Sequence, residues 1–303
     1  MASADPLPDD ALPGLFQAAD HAAVTGRSKY LTSTALRLAL IVLAAVTAAA
    51  SLRLGGSGVD VLALVTGVAF VAAVLVELYL LAERPERTWY DGRALAESAK
   101  TLAWRFAVGG VPYVRDAGEP EDEVALRFHR EIETLLLDAP ETGIEATTAP
   151  VISDRLRGLR AGDFADRRTA YLDGRIGDQQ RWYAARAALN RSRAHLWRVL
   201  LLAVELFGVI AALLRAFGVV GIDLPGIAAA IAGAGAAWLA VKQHESLSRA
   251  YAFAANELAI ARSRLESAAD ETRWAAEVAD AEEAISREHT MWRASRTAFR
   301  RRH

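Results

Sequence analysis

The 303-residue chain contains no cysteine. Disulfides, thiol catalysis and thiolate metal sites are thereby excluded, and the redox compartment stays undetermined. Net charge is also nearly absent, a formal −2 at pH 7, which argues against a nucleic-acid partner. The six histidines, at 21, 129, 195, 244, 289 and 303, show no HExxH or other ligand spacing, so no metal or cofactor is expected. There is no P-loop and no GxSxG elbow, and the glycines of GGSGVD (Gly55–Asp60) fall in a short loop. Acidic pairs such as Glu282-Glu283 read as a solvated helix face. Strand-like alternation is missing over any useful length. Nothing in this inventory argues for catalysis.

What is present is apolar length. The chain is 53% hydrophobic, unevenly distributed. Four segments, Thr34–Leu52, Val59–Ala82, Val199–Phe217 and Leu224–Val241, approach the ~20 residues that a ~30 Å hydrocarbon core requires. The connections at Arg53–Gly58 and Gly218–Asp223 are too short for a domain, so the spans pair as two hairpins. A secretory signal is the competing reading of the first segment, helped by Ala48-Ala49-Ala50. Against it, the apolar stretch is too long, and the residues before it are rich in Asp and Pro rather than basic. Basic residues flank the spans on one side: Arg27, Lys29, Arg84, Arg87, Arg93, Arg191, Arg193, Arg198, Lys242 and Arg249. The two short loops offer only Arg53 and Arg215. By the positive-inside rule both termini and the central segment are cytoplasmic, in a multi-pass protein of the cell (inner) membrane. The expected fold is all-α, with four transmembrane helices in two hairpins and long cytoplasmic helices forming a bundle or coiled coil.

The expected organisation is a flexible lead-in (1–20), a first two-span unit (21–110), a cytoplasmic helical insert (111–162) and a second two-span unit (163–303). In the insert, Glu119–Glu123 supplies a proline and acidic first turn. Val124, Phe128, Ile132 and Leu135 then recur at helical spacing until Pro140–Gly143 stops the helix. A further helical pattern begins near Asp163 and meets no strong breaker after Gly177, so it is read as continuing into the third span. After the last span, Leu247, Tyr251, Ala254, Leu258, Ala261, Leu265, Ala268, Thr272 and Ala275 form an a/d seam, and Val278, Ile285 and Trp292 continue it after a shift. Such a heptad helix suits packing on the protein's own insert or a bundle between subunits.

Three ionisable side chains sit well inside the spans: Arg37, Glu77 and Glu205. A charge at a helix centre costs ~2.5–3.5 kcal/mol on insertion scales, so each needs a partner or water. Taking Gly56 as the turn of the first hairpin, Arg37 and Glu77 lie within roughly 3 Å of the same depth on adjacent helices. They can neutralise one another. Glu205, in LLAVELFGVI (Leu201–Ile210), has no such mate, because its mirror position falls near Ala237 and Trp238. It is protonated, paired with another subunit, or set in a water-filled passage, where identical carboxylates would form a charged ring. The fourth span is dominated by small residues, with Ala229, Gly233 and Gly235 as candidates for close helix packing.

The segments flanking the spans carry a resemblance. RTWYDGRALAESAKTLAWRF (Arg87–Phe106) follows the second span, YLDGRIGDQQRWYAARAALNRSRAHLW (Tyr171–Trp197) precedes the third, and ISREHTMWRASR (Ile285–Arg296) lies near the end. Together they resemble SLATT domains, two-transmembrane modules associated with SMODS nucleotidyltransferases and SLOG nucleotide-sensing proteins. Arg93, Ala96, Glu97, Ser98, Lys100, Thr101, Trp104 and Arg105 match the pattern of one variant. Arg175, Ile176, Asp178, Gln179, Trp182 and Tyr183 match that of another, with Arg186 where lysine is usual. The resemblance implies a membrane effector in bacterial nucleotide-signalling defence, with a nucleotide-sensor or nucleotidyltransferase partner. Read physically, Arg93, Glu97 and Lys100 share one charged cytoplasmic helix face, while Trp104 and Trp182-Tyr183 are amphipathic anchors suited to an interface or a polar-rimmed core. An oligomeric pore in the lipid bilayer is the first functional expectation. The alternative is a non-conducting scaffold that recruits a cytoplasmic partner.

Overall fold

The computed structural model describes residues 6–50, 59–115, 118–139 and 143–300, with 287–300 described by backbone alone. The described chain is all-helical: α1 (Gly14–Ala48), α2 (Val61–Glu83), α3 (Pro85–Val108), α4 (Glu121–Leu137), α5 (Asp154–Ala161), α6 (Phe164–Tyr171), α7 (Asp178–Ala216), α8 (Leu224–Lys242), α9 (His244–Ser267) and α10 (Glu271–Arg300). A π-helical turn, Leu172–Gly177, joins α6 to α7 without a break. Four apolar stretches within these helices are long enough to cross a membrane. The turn residues Arg53–Gly58, the stop at Pro140–Thr142 and the side chain of Trp292 lie outside the description.

Local chemistry explains the helix ends. Asp60 and Asp223 each accept N–H bonds in the first turn of the returning spans, from Leu62 and Ala63 in α2 and from Gly226 in α8. Both returning spans end on one left-handed, non-glycine residue, Arg84 (φ 47°) or Gln243 (φ 50°), and the next helix starts immediately. The α3 terminus uses glycine instead. Gly109 takes φ +74°, and the Gly110 N–H bonds the Arg105 carbonyl at 2.8 Å, closing a Schellman turn.

The chain divides into two compact units. One comprises Met1–Arg27, Glu86–Ala187 and Arg249–His303, the other Ser28–Pro85 and Ala188–Ser248. The first holds the large core, in which Trp104, Phe106, Tyr113, Phe128, Tyr171, Leu258, Leu265, Trp274 and Val278 are all buried. Residues 6–20 belong to that core, correcting the expectation of a flexible lead-in: Leu7, Leu12 and Phe16 are buried, and α1 begins at Gly14. The predicted α4 face of Val124, Phe128 and Ile132 is buried there too. The heptad seam is internal through α9, with Ala254, Leu258, Ala261, Leu265 and Ala268 in the core of their own unit, but in α10 the seam residue Thr272 is exposed and Trp274 is buried instead. The helix carrying it is interrupted between Ser267 and Glu271, where Asp270 Oδ1 accepts the Arg273 N–H at 2.7 Å and starts α10 afresh.

Within the same unit α3 crosses α1 at Gly92. A Cβ there would lie 2.9 Å from the Ala19 carbonyl oxygen and 3.0 Å from the Ala23 nitrogen, both backbone atoms. Gly92→Val is therefore expected to lower stability by about 1–3 kcal/mol through overpacking, read as a drop in melting temperature. The matched control is Ala94→Ser, two residues along the same helix at a half-buried position, which is expected to shift stability far less.

The second unit contains the two hairpins. In the first, Thr47 and Thr66 share a hydroxyl–hydroxyl hydrogen bond of 2.7 Å, and Arg37 donates to Glu77. In the second, Gly235 meets the Leu201 side chain and Gly208 meets Ala228 Cβ. These contacts define two antiparallel registers.

Candidate functional site

Arg37 and Glu77 form an ion pair through Nη1 and Oε2. Ten positions separate Arg37 from Thr47 on α1, and eleven separate Thr66 from Glu77 on α2. One register therefore satisfies both contacts. The pair neutralises two charges that would each be costly alone in hydrocarbon.

Glu205 is placed differently. It makes no hydrogen bond or ion pair among the described residues, and the rest of the protein leaves it exposed. Leu202, Leu206 and Val209 on one flank of it are 55–58% exposed, whereas Leu201 and Gly208 on its other flank meet α8, with the buried Ala211 beyond them. The register carried by Gly208 with Ala228 and Leu201 with Gly235 sets Glu205 level with Ile231, which corrects the expected mirror position at Ala237 and Trp238. The cause is an uneven turn: the chain reverses at Gly218 (φ +73°), just after α7, rather than midway through the loop. Of the proposed packing residues, Gly235 faces α7, while Ala229 is exposed and a Cβ on Gly233 would meet nothing within 4 Å.

The flanking motifs converge in the core of the first unit. Glu282 on α10 is 0% exposed and is the acceptor for four bonds. Arg175 donates through Nε (2.9 Å) and Nη2 (2.8 Å), Tyr171 through its hydroxyl (3.0 Å) and Thr101 through its hydroxyl (2.9 Å). This overturns the reading of Glu282 as solvated. The signal was available: Glu282 stands four residues after Val278 and three before Ile285, hence on their face. Burial opposes the Arg175 charge, but the adjacent Glu282 carboxylate more than offsets it, and the guanidinium pKa is raised. Burial first, then the Glu282 charge, push the Tyr171 phenol well above its ordinary value. A raised folded-state pKa contributes stability that is fully present below about pH 10 and is lost as the pH rises through the folded value. Tyr171→Phe is expected to flatten this alkaline loss, as read by circular dichroism melts above about pH 10.

The other motif residues are divided between the core of the first unit and its surface. Glu97, Thr101 and Trp104 are buried, and Arg93 bridges Glu97 and Asp20. Lys100 bonds Asp9 and lies over the Phe16 ring, so the N-terminal segment covers what was expected to be an open charged face. Arg105 donates to the Ala279 carbonyl. Trp104 packs on Tyr171, and Tyr183 is buried in a stack with Tyr251, so neither is an interfacial anchor; Trp182 is the more exposed of that pair. Asp178 is exposed beside Arg181, and Gln179 is half-buried.

Two further arginines escaped sequence reasoning, having no motif around them. Arg160 donates to the carbonyls of Phe106 and Tyr113, and Arg167 to that of Val108. Both Phe106 and Val108 lie in the last turn of α3, where unpaired carbonyls attract cations. Glu121 and Glu271 complete the two ion pairs.

Residues 13–168 match the model of SMODS and SLOG-associating 2TM effector domain 3, and residues 171–292 that of SMODS and SLOG-associating 2TM effector domain 1. The first match takes in the segment 111–162, and the junction falls just before Tyr171. No curated protein and no solved structure gives a match. With the first match alone spanning more than half its length, and each match containing one of the two hairpins, the chain belongs to the SLATT family of two-transmembrane effector domains and carries two of them in tandem.

Proposed function

We propose that this protein is an oligomeric membrane effector of a bacterial nucleotide-signalling defence system, one that permeabilises the bilayer on activation. Glu205 is the observation that supports this reading. A lone carboxylate on an outward, otherwise apolar helix face costs ~2.5–3.5 kcal/mol in hydrocarbon, and assembly relieves that cost by supplying water or a counter-charge. Basic flanks support a topology with both termini on the cytoplasmic side of the inner membrane, where a nucleotide-sensing partner would reach the first unit.

Purified protein in liposomes is expected to release a trapped dye, with leakage rising more steeply than linearly with protein density. Glu205→Gln is expected to lower that leakage or change its ion selectivity. Liposomes that stay tight at every density and under every activating condition would overturn the proposal and favour the non-conducting scaffold.

A further inference from the structure

The remaining question at Glu205 is what covers it. We propose that Glu205 of one chain docks against the Arg37–Glu77 pair of a second copy, so that one guanidinium is shared by two carboxylates across a subunit interface. The inference rests on the oligomeric reading above and names its contact.

The charges support it first. Among the described residues Glu205 has no partner, while Arg37 makes one hydrogen bond, through Nη1 to Glu77; its Nε is buried without an acceptor, so a second carboxylate would be met by the terminal nitrogens. A guanidinium carries five N–H donors in a planar fork, so a single carboxylate oxygen leaves most of it unused. The Arg37 side chain is 31% exposed, and Leu36 next to it is 51% exposed. The Glu205 side chain is therefore accessible on the outside of the hairpins, and that of Arg37 in part.

Depth supports it independently. Arg37 lies eleven residues before Ala48, where α1 ends, and Glu205 lies eleven residues before Ala216, where α7 ends. Both are thus about 16 Å below the turn-side end of their helix. From the other side, Arg37 follows Lys29 by eight residues and Glu205 follows Arg198 by seven. As the first spans of two hairpins, α1 and α7 cross in the same direction. Arg37 and Glu205 consequently hold equivalent places in the two repeats, with opposite sign. Where Glu77 stands in the first repeat, the second has only small residues: counted from the caps, the matching positions are Ala236 and Ala240.

A contact from the second hairpin of one chain to the first hairpin of the next is heterologous, and a heterologous contact closes into a ring when its rotation permits. Each contact leaves one surplus negative charge beside a guanidinium in place of an isolated carboxylate in lipid.

The absence of cysteine makes the test clean. Two differently tagged full-length chains, one Leu36→Cys and the other Leu206→Cys, are reconstituted together and treated with a short bismaleimide. The positions neighbour the charges without replacing them. The mixed-tag product is expected to exceed either same-tag product, and adding Glu205→Gln to the Leu206→Cys chain is expected to reduce it at least tenfold. A dominant Leu206→Cys self-product would place Glu205 beside its own copies and overturn the contact. So would mixed-tag crosslinking that Glu205→Gln leaves unchanged. An oligomer with no mixed-tag product overturns the contact alone; a monomeric mass with tight liposomes overturns the oligomeric reading as well.

Discussion

Glu282→Ala is expected to destabilise the first unit by about 3–5 kcal/mol, the range for removing one partner of a buried ion pair. The substitution leaves Arg175, 2% exposed, with an uncompensated charge, and deprives the Tyr171 and Thr101 hydroxyls of their acceptor. Cavity formation alone would not distinguish this from any core truncation, so the informative comparison is the pair. Arg175→Met with Glu282→Leu removes both charges and fills the space, and is expected to be far less harmful than either single change. Glu282→Gln keeps an acceptor but loses the charge, and should fall between. Thermal melts in detergent, supported by protease sensitivity of α10, provide the measurement. A loss below about 1 kcal/mol for Glu282→Ala would show that Arg175 finds another partner or water.

The second large effect is expected within the spans. Arg37→Ala or Glu77→Ala leaves one charge unpaired in the first hairpin, at ~2.5–3.5 kcal/mol on insertion scales, about two orders of magnitude in the insertion equilibrium. Arg37→Leu combined with Glu77→Leu is expected to restore insertion, because the pair is neutral and its removal only adds apolar surface. Membrane-fraction yield and protease protection of the loop after α1 report the difference. If the double variant inserted no better than the singles, the pair would be serving something other than neutralisation. In the proposed assembly that second service is the docking of Glu205, so the restored double variant should still leak poorly.

Apolar runs made the spans legible, because hydrocarbon thickness and helical rise leave little freedom in length. The same fixed rise made Arg37 and Glu77 legible as neighbours. The inside of the first unit was harder to read. Helical spacing says that Arg93, Glu97 and Lys100 share a face, but not that residues 6–20 will lie on it. Leu7, Leu12 and Phe16 are spread through a proline- and aspartate-rich stretch, so no periodic signal announces their burial. Glu282 invites misreading because a glutamate in a charged neighbourhood suggests solvent. Its place between Val278 and Ile285 is the better guide. The interruption after Ser267 is hidden because Ala268, Thr272 and Ala275 keep the heptad spacing in the sequence, although Thr272 is exposed in the structure and Asp270, which accepts an N–H at the start of α10, is a readable cap.

The Glu282 cluster has a consequence for how the two repeats can be inherited. Thr101 and Trp104 come from the segment matching one family member, whereas Tyr171, Arg175 and Glu282 come from the segment matching the other. A gene split at that junction would yield one half with a hydroxyl and an indole stripped of their neighbours, and another with a naked interior ion pair. Neither half would be an autonomous module. Such a fission product would survive only if both polypeptides were made together and complemented each other. Recombination that exchanged one repeat for a homologue would have to preserve the cluster on both sides of the cut.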